Sequence, residues 1–229
     1  MNPTTSSIKV VSFDFDGVFI RDSDAVFKKD AWKIAFASYE GKYELHLKVA
    51  NGLHGWGKPG GRKEIMQYVF KKINAPTDSI DNLVETAAKI FDNYVQNKIL
   101  EAGLVPGAVE ALNELSTRDL SLYLNSGTAT PALILSAKNL KIDHFFKEIL
   151  GSTKEPVGGS KVDNLLHIAE REGKNPYEIM VAGDGESDIH AAKELGCKFI
   201  GVANCWNRWK EEGKQFPLVT DLKEISKFL

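Results

Sequence analysis

The chain has 229 residues, of which 43% are hydrophobic and 26% are charged, and its formal net charge is −2. This is the composition of an ordinary globular protein with enough length for one sizeable core or two modest ones. Because the charge is nearly balanced, we expect neither nucleic acid nor an anionic membrane surface as a partner. No apolar run reaches the roughly 18 residues that a membrane-spanning helix requires.

The first apolar run, Ile8 to Phe13, predicts a buried strand that leads into the sequence Asp14-Phe15-Asp16-Gly17. Side chains two residues apart on an extended backbone point to the same side, so Asp14 and Asp16 can face one small volume. Two crowded carboxylates require compensation by a cation, a shared proton or donated hydrogen bonds. We therefore expect the chemistry of this chain at this pair.

Residues 19–102 interrupt the pattern of the chain and predict a small helical domain without a convincing strand. Its predicted helices span residues 25–39, 63–73 and 80–100. Within it, residues 51–62 include five glycines among twelve residues and predict a loop.

Strands and helices alternate from about residue 103, which predicts a parallel sheet built from βαβ units. The expected fold class is therefore α/β, with a Rossmann-like parallel sheet core formed by residues 1–18 and 103–229 and an inserted α-helical domain. The predicted strands lie at 120–124, 145–150, 179–182, 199–202 and 218–219. The predicted helices lie at 106–115, 129–140, 160–172, 188–195 and 222–229.

Three further polar clusters lie just after predicted strands or at the start of a helix, where sites form in open α/β sheets. In the first, Ser126 and Gly127 suit a phosphate oxygen, but such a turn also serves as a helix N-cap. In the second, Lys161 begins a helix, where a cation is unfavourable unless an anion lies nearby. A solvated surface lysine is the alternative, and Lys154 is a competing candidate.

The third cluster, Gly183 to Asp188, places carboxylates in a loop that leads into a helix. Asp184 and Asp188 could cap this helix. Carboxylates at a strand end also suit Mg²⁺, which accepts one or two of them together with a substrate phosphate.

The four clusters, in this order and each in its structural context, resemble the motifs of the haloacid dehalogenase superfamily. The position of the helical insert resembles the helical-cap subgroup, which includes phosphoglycolate phosphatase and β-phosphoglucomutase. The resemblance spans nearly the whole chain and identifies residues 1–18 and 103–229 as the catalytic core and residues 19–102 as the cap.

This resemblance implies that Asp14 is the nucleophile and forms an aspartyl-phosphate, while Asp16 protonates the leaving oxygen and then activates water. It further implies that Mg²⁺ contacts Asp14, Asp184 and the backbone carbonyl of Asp16. Asp188 would bind the ion through water or orient Lys161.

The resemblance also implies groups that bind the substrate. Ser126, Gly127 and Lys161 would hold the phosphoryl oxygens. In the cap, Arg62 and, less specifically, Lys58 would contact the substrate, although both could equally be solvated cations on an exposed turn.

The resemblance implies a Mg²⁺-dependent phosphatase that acts on a small phosphorylated metabolite, such as a sugar phosphate or a phosphorylated acid. The presence of Asp16 favours phosphoryl transfer over carbon–halogen cleavage, because a halide leaves without a proton and needs no acid at that position. A phosphomutase of the β-phosphoglucomutase type is the alternative, and a non-catalytic binding protein that kept the fold is a further one.

The remaining expectations concern location, assembly and one unusual segment. The polar N-terminus predicts no signal peptide, and Cys197 and Cys205 are too few for a disulfide framework, so we expect a cytoplasmic protein. A monomer and a homodimer are both open. The segment from Ala203 to Trp209 is unlike a short family turn, and its two tryptophans, Trp206 and Trp209, are expected to serve packing or an interface.

Overall fold

The computed structural model describes residues 8–21, 23–54, 61–152, 159–204, 207, 209 and 215–229. The chain forms two compact units. The core unit comprises Met1–Asp22 and Ala102–Leu229, and the helical unit comprises Ser23–Glu101. Phe19 and Ile20, expected in the insert, are fully buried within the core unit. The Phe19 carbonyl accepts a hydrogen bond from the Val105 N–H at 2.9 Å, which fixes the start of the insert to the return segment of the chain.

The core unit contains one six-stranded sheet in which every pair of neighbouring strands is parallel. The strand order is β3-β2-β1-β4-β5-β6. This confirms the α/β class and the Rossmann-like parallel sheet predicted from the alternating pattern. The strands are β1 (Val10–Phe13), β2 (Ser121–Asn125), β3 (Glu148–Leu150), β4 (Ile179–Gly183), β5 (Lys198–Val202) and β6 (Leu218–Val219).

The described helices alternate with these strands in the core unit and form the whole of the regular structure described in the helical unit. In the helical unit they are α1 (Lys28–Ala35), α2 (Glu44–His54), α3 (Arg62–Lys72) and α4 (Ile80–Ala102). In the core unit they are α5 (Ala108–Ser116), α6 (Thr130–Asn139), α7 (Lys161–Glu172) and α8 (Glu186–Leu195). A 3-10 helix, Leu222–Phe228, forms where the sequence predicted a helix over residues 222–229.

The central strand β1 is buried along its full length, as the apolar run predicted. Its register pairs Val10 with Ser121 of β2 on one side and with Ile179 of β4 on the other. Val10 and Ile179 pack in one cluster with Leu165 of α7, which is fully buried. Burial of such side chains is the main favourable contribution to folding, so this cluster fixes the strands whose ends carry the polar groups.

Helix α7 begins and ends as the sequence predicted. The Ser160 hydroxyl accepts a hydrogen bond from the backbone N–H of Asp163, and the Asp163 carboxylate accepts one from the Ser160 hydroxyl. Gly173 follows the helix with φ = +58°, a conformation that glycine adopts without a Cβ penalty. These caps place Lys161 at the first position of the helix.

The helical unit has an aromatic core around Phe36, whose ring packs against Trp32, Tyr43 and Phe70. Its described residues include no strand, in agreement with the expectation of a helical insert. The loop predicted for residues 51–62 is wrong at its start, because α2 continues through His54 and packs against α3.

None of the helices in the described part of the chain combines the length and the apolar character needed to cross a lipid bilayer.

Candidate active site

The polar clusters meet at the point where the order of strand addition in the sheet reverses. The chain adds β2 and β3 on one side of β1 and then β4, β5 and β6 on the other, so β1 and β4 flank the switch point. Ligands of open α/β sheets bind at this point, outside the carboxyl ends of the strands. Asp14 follows β1, Ser126 follows β2 and Asp184 follows β4 at this edge. The Asp14 N–H donates to the Ala182 carbonyl at 2.9 Å and holds the two central strand ends together.

Lys161 lies between two carboxylates. Its Nζ is 2.8 Å from Asp14 Oδ2 and 2.6 Å from Asp188 Oδ1. The lysine side chain is 12% exposed, which excludes the solvated surface lysine that the sequence left open. The anionic neighbours compensate for a cation at a helix N-terminus. Lys154, the competing candidate, lies outside the described residues.

Burial and charge crowding set the protonation of this group. Burial, together with the carboxylates of Asp188 and Asp16, raises the pKa of Asp14 to about 7 despite the attraction of Lys161. Burial also raises the pKa of Asp188. Burial alone would lower the pKa of Lys161, but attraction to Asp14 and Asp188 outweighs it and raises the pKa. Burial therefore disfavours the ionised forms of Asp14 and Asp188, and one more cation would favour the ionised carboxylates.

The acidic groups are placed where they could hold that cation. Asp14, Asp184 and Asp188 each offer a carboxylate oxygen, and these three oxygens lie within 4.8 Å of one another. Hard oxygen donors of this kind fit Mg²⁺. Gly17 leaves the space for Asp184, because a Cβ at Gly17 would lie 1.9 Å from Asp184 Oδ2. Gly17 also has φ = +79°, which L side chains rarely adopt.

Asp16 has different neighbours from Asp14. Strand β1 ends at Phe13, so both aspartates follow the strand, and each has its own hydrogen-bond partners. Asp16 Oδ2 accepts from the Thr128 hydroxyl at 2.8 Å and lies 3.5 Å from the Ser126 hydroxyl. Asp14 Oδ1 accepts from the Phe15 N–H at 2.7 Å. No role was predicted for Thr128, although it directly follows Gly127 in the sequence.

Hydrogen bonds of two buried side-chain amides link the start of α7, which carries Lys161, to the end of β2, which Ser126 follows. The Asn125 amide donates to the Lys161 carbonyl at 3.1 Å, and the Asn164 amide donates to Asn125 Oδ1 at 2.9 Å. The Ser126 N–H donates to the Leu150 carbonyl at 3.0 Å. Asn125 and Asn164 are almost fully buried, so their hydrogen bonds make the strand ends difficult to displace. Neither asparagine was singled out in the sequence.

The other residues predicted to bind substrate are Gly127, Arg62 and Lys58. Gly127 is exposed and has open space beside its Cα. Arg62 forms an ion pair with Asp92, with Nη1 2.6 Å from Oδ1, and its guanidinium lies 4.4 Å from the centre of the Phe91 ring. These contacts hold Arg62 within the helical unit, and its contact with substrate stays a prediction. Lys58 lies outside the described residues.

The unusual segment after β5 contributes polar groups to the site. The Asn204 amide donates to Asp184 Oδ2 at 2.9 Å, and the Asn207 amide donates to the Asp184 carbonyl at 3.1 Å. The ring of Trp209 packs against Phe199 and Phe216, in accord with the packing role expected for it. Trp206 lies outside the described residues. The two asparagines follow β5 at the same edge of the sheet as Asp184, and this was the signal that could have identified them.

The fold and the site together define an α/β protein with a carboxylate-rich centre at the switch point of a parallel sheet. A family model described as haloacid dehalogenase-like hydrolase matches residues 8–196. The chain belongs to this family, and the resemblance seen in its motifs is thereby confirmed.

Individual relatives agree with this placement. A phosphoglycolate phosphatase from Shigella boydii is 31% identical over 126 residues, which cover 54% of this chain and 50% of the relative. The chain thus spans about half the length of the curated relatives it matches. A solved structure from Haemophilus somnus, described as a predicted phosphoglycolate phosphatase, is 19% identical with a TM-score of 0.70 and covers 99% of each chain.

A second solved structure, from Thermotoga maritima and assigned as a β-phosphoglucomutase, is 20% identical with a TM-score of 0.65. The comparison covers 96% of this chain and 98% of that one. At these identities the two structures show the shared fold alone.

Proposed function

We propose that this protein is a Mg²⁺-dependent phosphatase that hydrolyses a small phosphorylated metabolite through an aspartyl-phosphate. The observation that carries the proposal is the convergence at one sheet edge of Asp14, Lys161 and Asp184 with Asp16 and its hydroxyl partners. Each of these groups has a chemical part in phosphoryl transfer.

In the first step, an oxygen of the Asp14 carboxylate attacks phosphorus and forms a P–O bond to the protein. The bond between phosphorus and the leaving oxygen breaks, and Asp16 in its protonated form delivers a proton to that oxygen. The Thr128 hydroxyl, 2.8 Å from Asp16 Oδ2, holds the acid in place. The products of this step are the free alcohol and phosphorylated Asp14.

In the second step, Asp16 is ionised and takes a proton from a water molecule. The water oxygen attacks phosphorus, the acyl phosphate bond to Asp14 breaks, and inorganic phosphate leaves. Asp14 returns as a carboxylate and Asp16 returns in its protonated form. The same residue thus acts as acid and then as base, as microscopic reversibility requires of a two-step transfer.

Lys161 and Ser126 would bind the phosphoryl oxygens, with the exposed Gly127 beside them. The Lys161 ammonium is close to Asp14 Oδ2 and is therefore near the position of the transferring group. Asp188 accepts from Lys161 and from the Gly185 N–H at 3.3 Å, which supports a role in orienting the lysine. Asp14, Asp184 and the backbone carbonyl of Asp16 would hold Mg²⁺. The ion, when bound, lets an anionic carboxylate approach an anionic phosphate and stabilises the charge on its oxygens.

Two classes of substrate follow from the relatives and from the site. The curated relatives are named phosphoglycolate phosphatase, so a short phosphorylated acid is the first class, with sugar phosphates as the second. The protein is expected to act as a monomer or a homodimer in the cytoplasm, with no nucleic acid or membrane partner.

The proposal is tested by hydrolysis of p-nitrophenyl phosphate and of a panel that includes 2-phosphoglycolate and sugar phosphates. We expect Mg²⁺-dependent release of phosphate that is lost with a chelator. Asp14→Asn should lower turnover by about 10⁴-fold or more, because the nucleophile is removed. The substrate should also leave a phosphoryl group on Asp14, which mass spectrometry can detect after a rapid acid quench.

Asp119→Asn is the matched control, because Asp119 is exposed at the opposite end of β2 and pairs with Lys9. It should keep the turnover of the wild type. Equal inactivity of the wild type and Asp14→Asn across the panel would contradict the proposal. Conversion of a sugar 1-phosphate to its isomer, without net phosphate release, would instead identify a mutase.

A further inference from the structure

The side chain of Asn204 joins the two turns that carry the aspartates. Its Nδ2 donates to Asp184 Oδ2 at 2.9 Å and to the Gly17 carbonyl at 3.2 Å. An amide nitrogen has two hydrogens, so both bonds can form at once. Gly17 belongs to the turn after β1, and Asp184 belongs to the turn after β4. One side chain therefore ties together the ends of the two strands at the switch point.

Asn207 holds Asn204 in this position. The Asn204 N–H donates to Asn207 Oδ1 at 3.1 Å, and the Asn207 N–H donates to Asn204 Oδ1 at 2.9 Å. The Asn207 amide also donates to the Asp184 carbonyl and to the Val202 carbonyl. The two asparagines thus brace each other, and both contact Asp184.

We propose that Asn204 is a positioning residue that fixes the Asp184 carboxylate for Mg²⁺. This inference rests on the proposed function, since it assigns the metal to that site. Groups that hydrogen-bond a metal ligand typically change metal affinity or activity 10–100-fold when they are removed. Asn204 acts through Asp184 and does not itself need to touch the ion.

The close fit between Asp184 and Gly17 is an independent reason to expect this role. A Cβ at Gly17 would lie 1.9 Å from Asp184 Oδ2, so the carboxylate lies directly against the turn after β1. The Gly17 carbonyl and the Asp184 carboxylate are both acceptors and cannot bond to each other. The Asn204 amide donates to both acceptors and thereby supports their close approach.

A purely structural role makes a different prediction. If Asn204 and Asn207 only closed the segment after β5, loss of the Asn204 side chain would lower the stability of the fold and leave metal affinity unchanged. Metal binding measured on folded protein therefore separates the two roles.

The experiment is calorimetric titration of chelator-treated protein with MgCl₂, for the wild type, Asn204→Ala and Asn204→Leu. Leu has nearly the shape of Asn but no donors, so it avoids the cavity that Ala could leave. Circular dichroism and a urea midpoint establish that each variant is folded. Asn175→Ala is the matched control, because Asn175 bonds to Glu178 just before the amino end of β4, at the opposite edge of the sheet.

We expect the Mg²⁺ dissociation constant to rise about tenfold or more in both Asn204 variants and to stay unchanged in Asn175→Ala. The Mg²⁺-induced rise in melting temperature should shrink in parallel. At saturating Mg²⁺ the Asn204 variants should regain most of the wild-type kcat, because the missing group acts on metal affinity.

The result that overturns the inference is a folded Asn204 variant whose dissociation constant lies within twofold of the wild type. The proposed function then stands if Asp14→Asn still abolishes Mg²⁺-dependent hydrolysis. A wild-type protein that binds no Mg²⁺ would overturn the inference and the proposed function together.

Discussion

The two sides of the candidate site hold their carboxylates by different means. On the charged side, comprising Asp14, Lys161, Asp184 and Asp188, ion pairs and close carboxylates dominate. On the hydroxyl side, comprising Asp16, Ser126 and Thr128, two neutral hydroxyl groups donate to one carboxylate. The two sides begin two residues apart in the sequence, at Asp14 and Asp16.

This difference corresponds to two kinds of chemistry. A nucleophile must be ionised, and on the charged side Lys161, together with Mg²⁺ when it is bound, opposes the burial that raises the pKa of Asp14. An acid that later acts as a base must exchange a proton, and a hydroxyl partner can donate to the ionised form or accept from the protonated form. The charged side is therefore suited to Asp14 as nucleophile, and the hydroxyl side to Asp16 as acid and base.

The largest effect on the charged side is expected from Lys161→Met. This change leaves Asp14 and Asp188 buried without their ammonium partner, and removal of one member of a buried ion pair costs about 3–5 kcal/mol. Urea unfolding in the presence of chelator measures the loss. Activity should also fall, since Lys161 is proposed to bind the phosphoryl group.

Lys63→Met is the matched control for that loss of stability. Lys63 pairs with Glu85 in the helical unit, and both side chains are more than half exposed. Exposed ion pairs contribute about 0–1 kcal/mol, so this variant should unfold close to the wild type. Similar losses in Lys63→Met and Lys161→Met would contradict the view that Lys161 is a buried counter-ion.

The next largest effect belongs to the hydroxyl side. Asp16→Asn keeps an oxygen that can accept from Thr128 but removes the transferable proton. We expect turnover to fall by about 10²-fold or more, the usual scale for an acid–base group. Steady-state kinetics with p-nitrophenyl phosphate provides the measurement, and the unfolding midpoint confirms the fold. Unchanged turnover would remove the acid–base role from Asp16.

The sequence allowed the strands and the polar clusters to be predicted because both follow local rules. Strand β1, which lies within the apolar run before Asp14, is buried along its whole length, and turns after parallel strands meet at one edge of a sheet. The partners of Lys161 could not be read in the same way. Its two carboxylates lie far away in the sequence, and only the tertiary fold shows that the lysine is buried between them.

Two features that were not predicted from the sequence, helix α2 and the asparagines after β5, have physical reasons. Helix α2 was not predicted because Leu45, Leu47 and Val49 alternate with polar residues, a spacing that suits a strand better than one face of a helix. Asn204 and Asn207 were passed over because asparagines in a loop are common and no local pattern indicates a distant acceptor. The end of β5 carries polar groups of the site, as do the ends of β1, β2 and β4.

The smallest expected effect tests how the hydroxyl side holds its carboxylate. Thr128→Val keeps the branched shape but removes the hydroxyl that donates to Asp16 Oδ2 at 2.8 Å. A net hydrogen bond contributes about 1 kcal/mol, so kcat should fall about tenfold at most, with little change in KM. Thr128→Ser keeps the hydroxyl and should restore kcat. Thr117→Val removes a hydroxyl at the exposed end of α5 and should leave kcat unchanged. If Thr128→Val matched the wild type, the Thr128 hydroxyl would not orient Asp16. The contrast between the two sides would then rest on the charged side only.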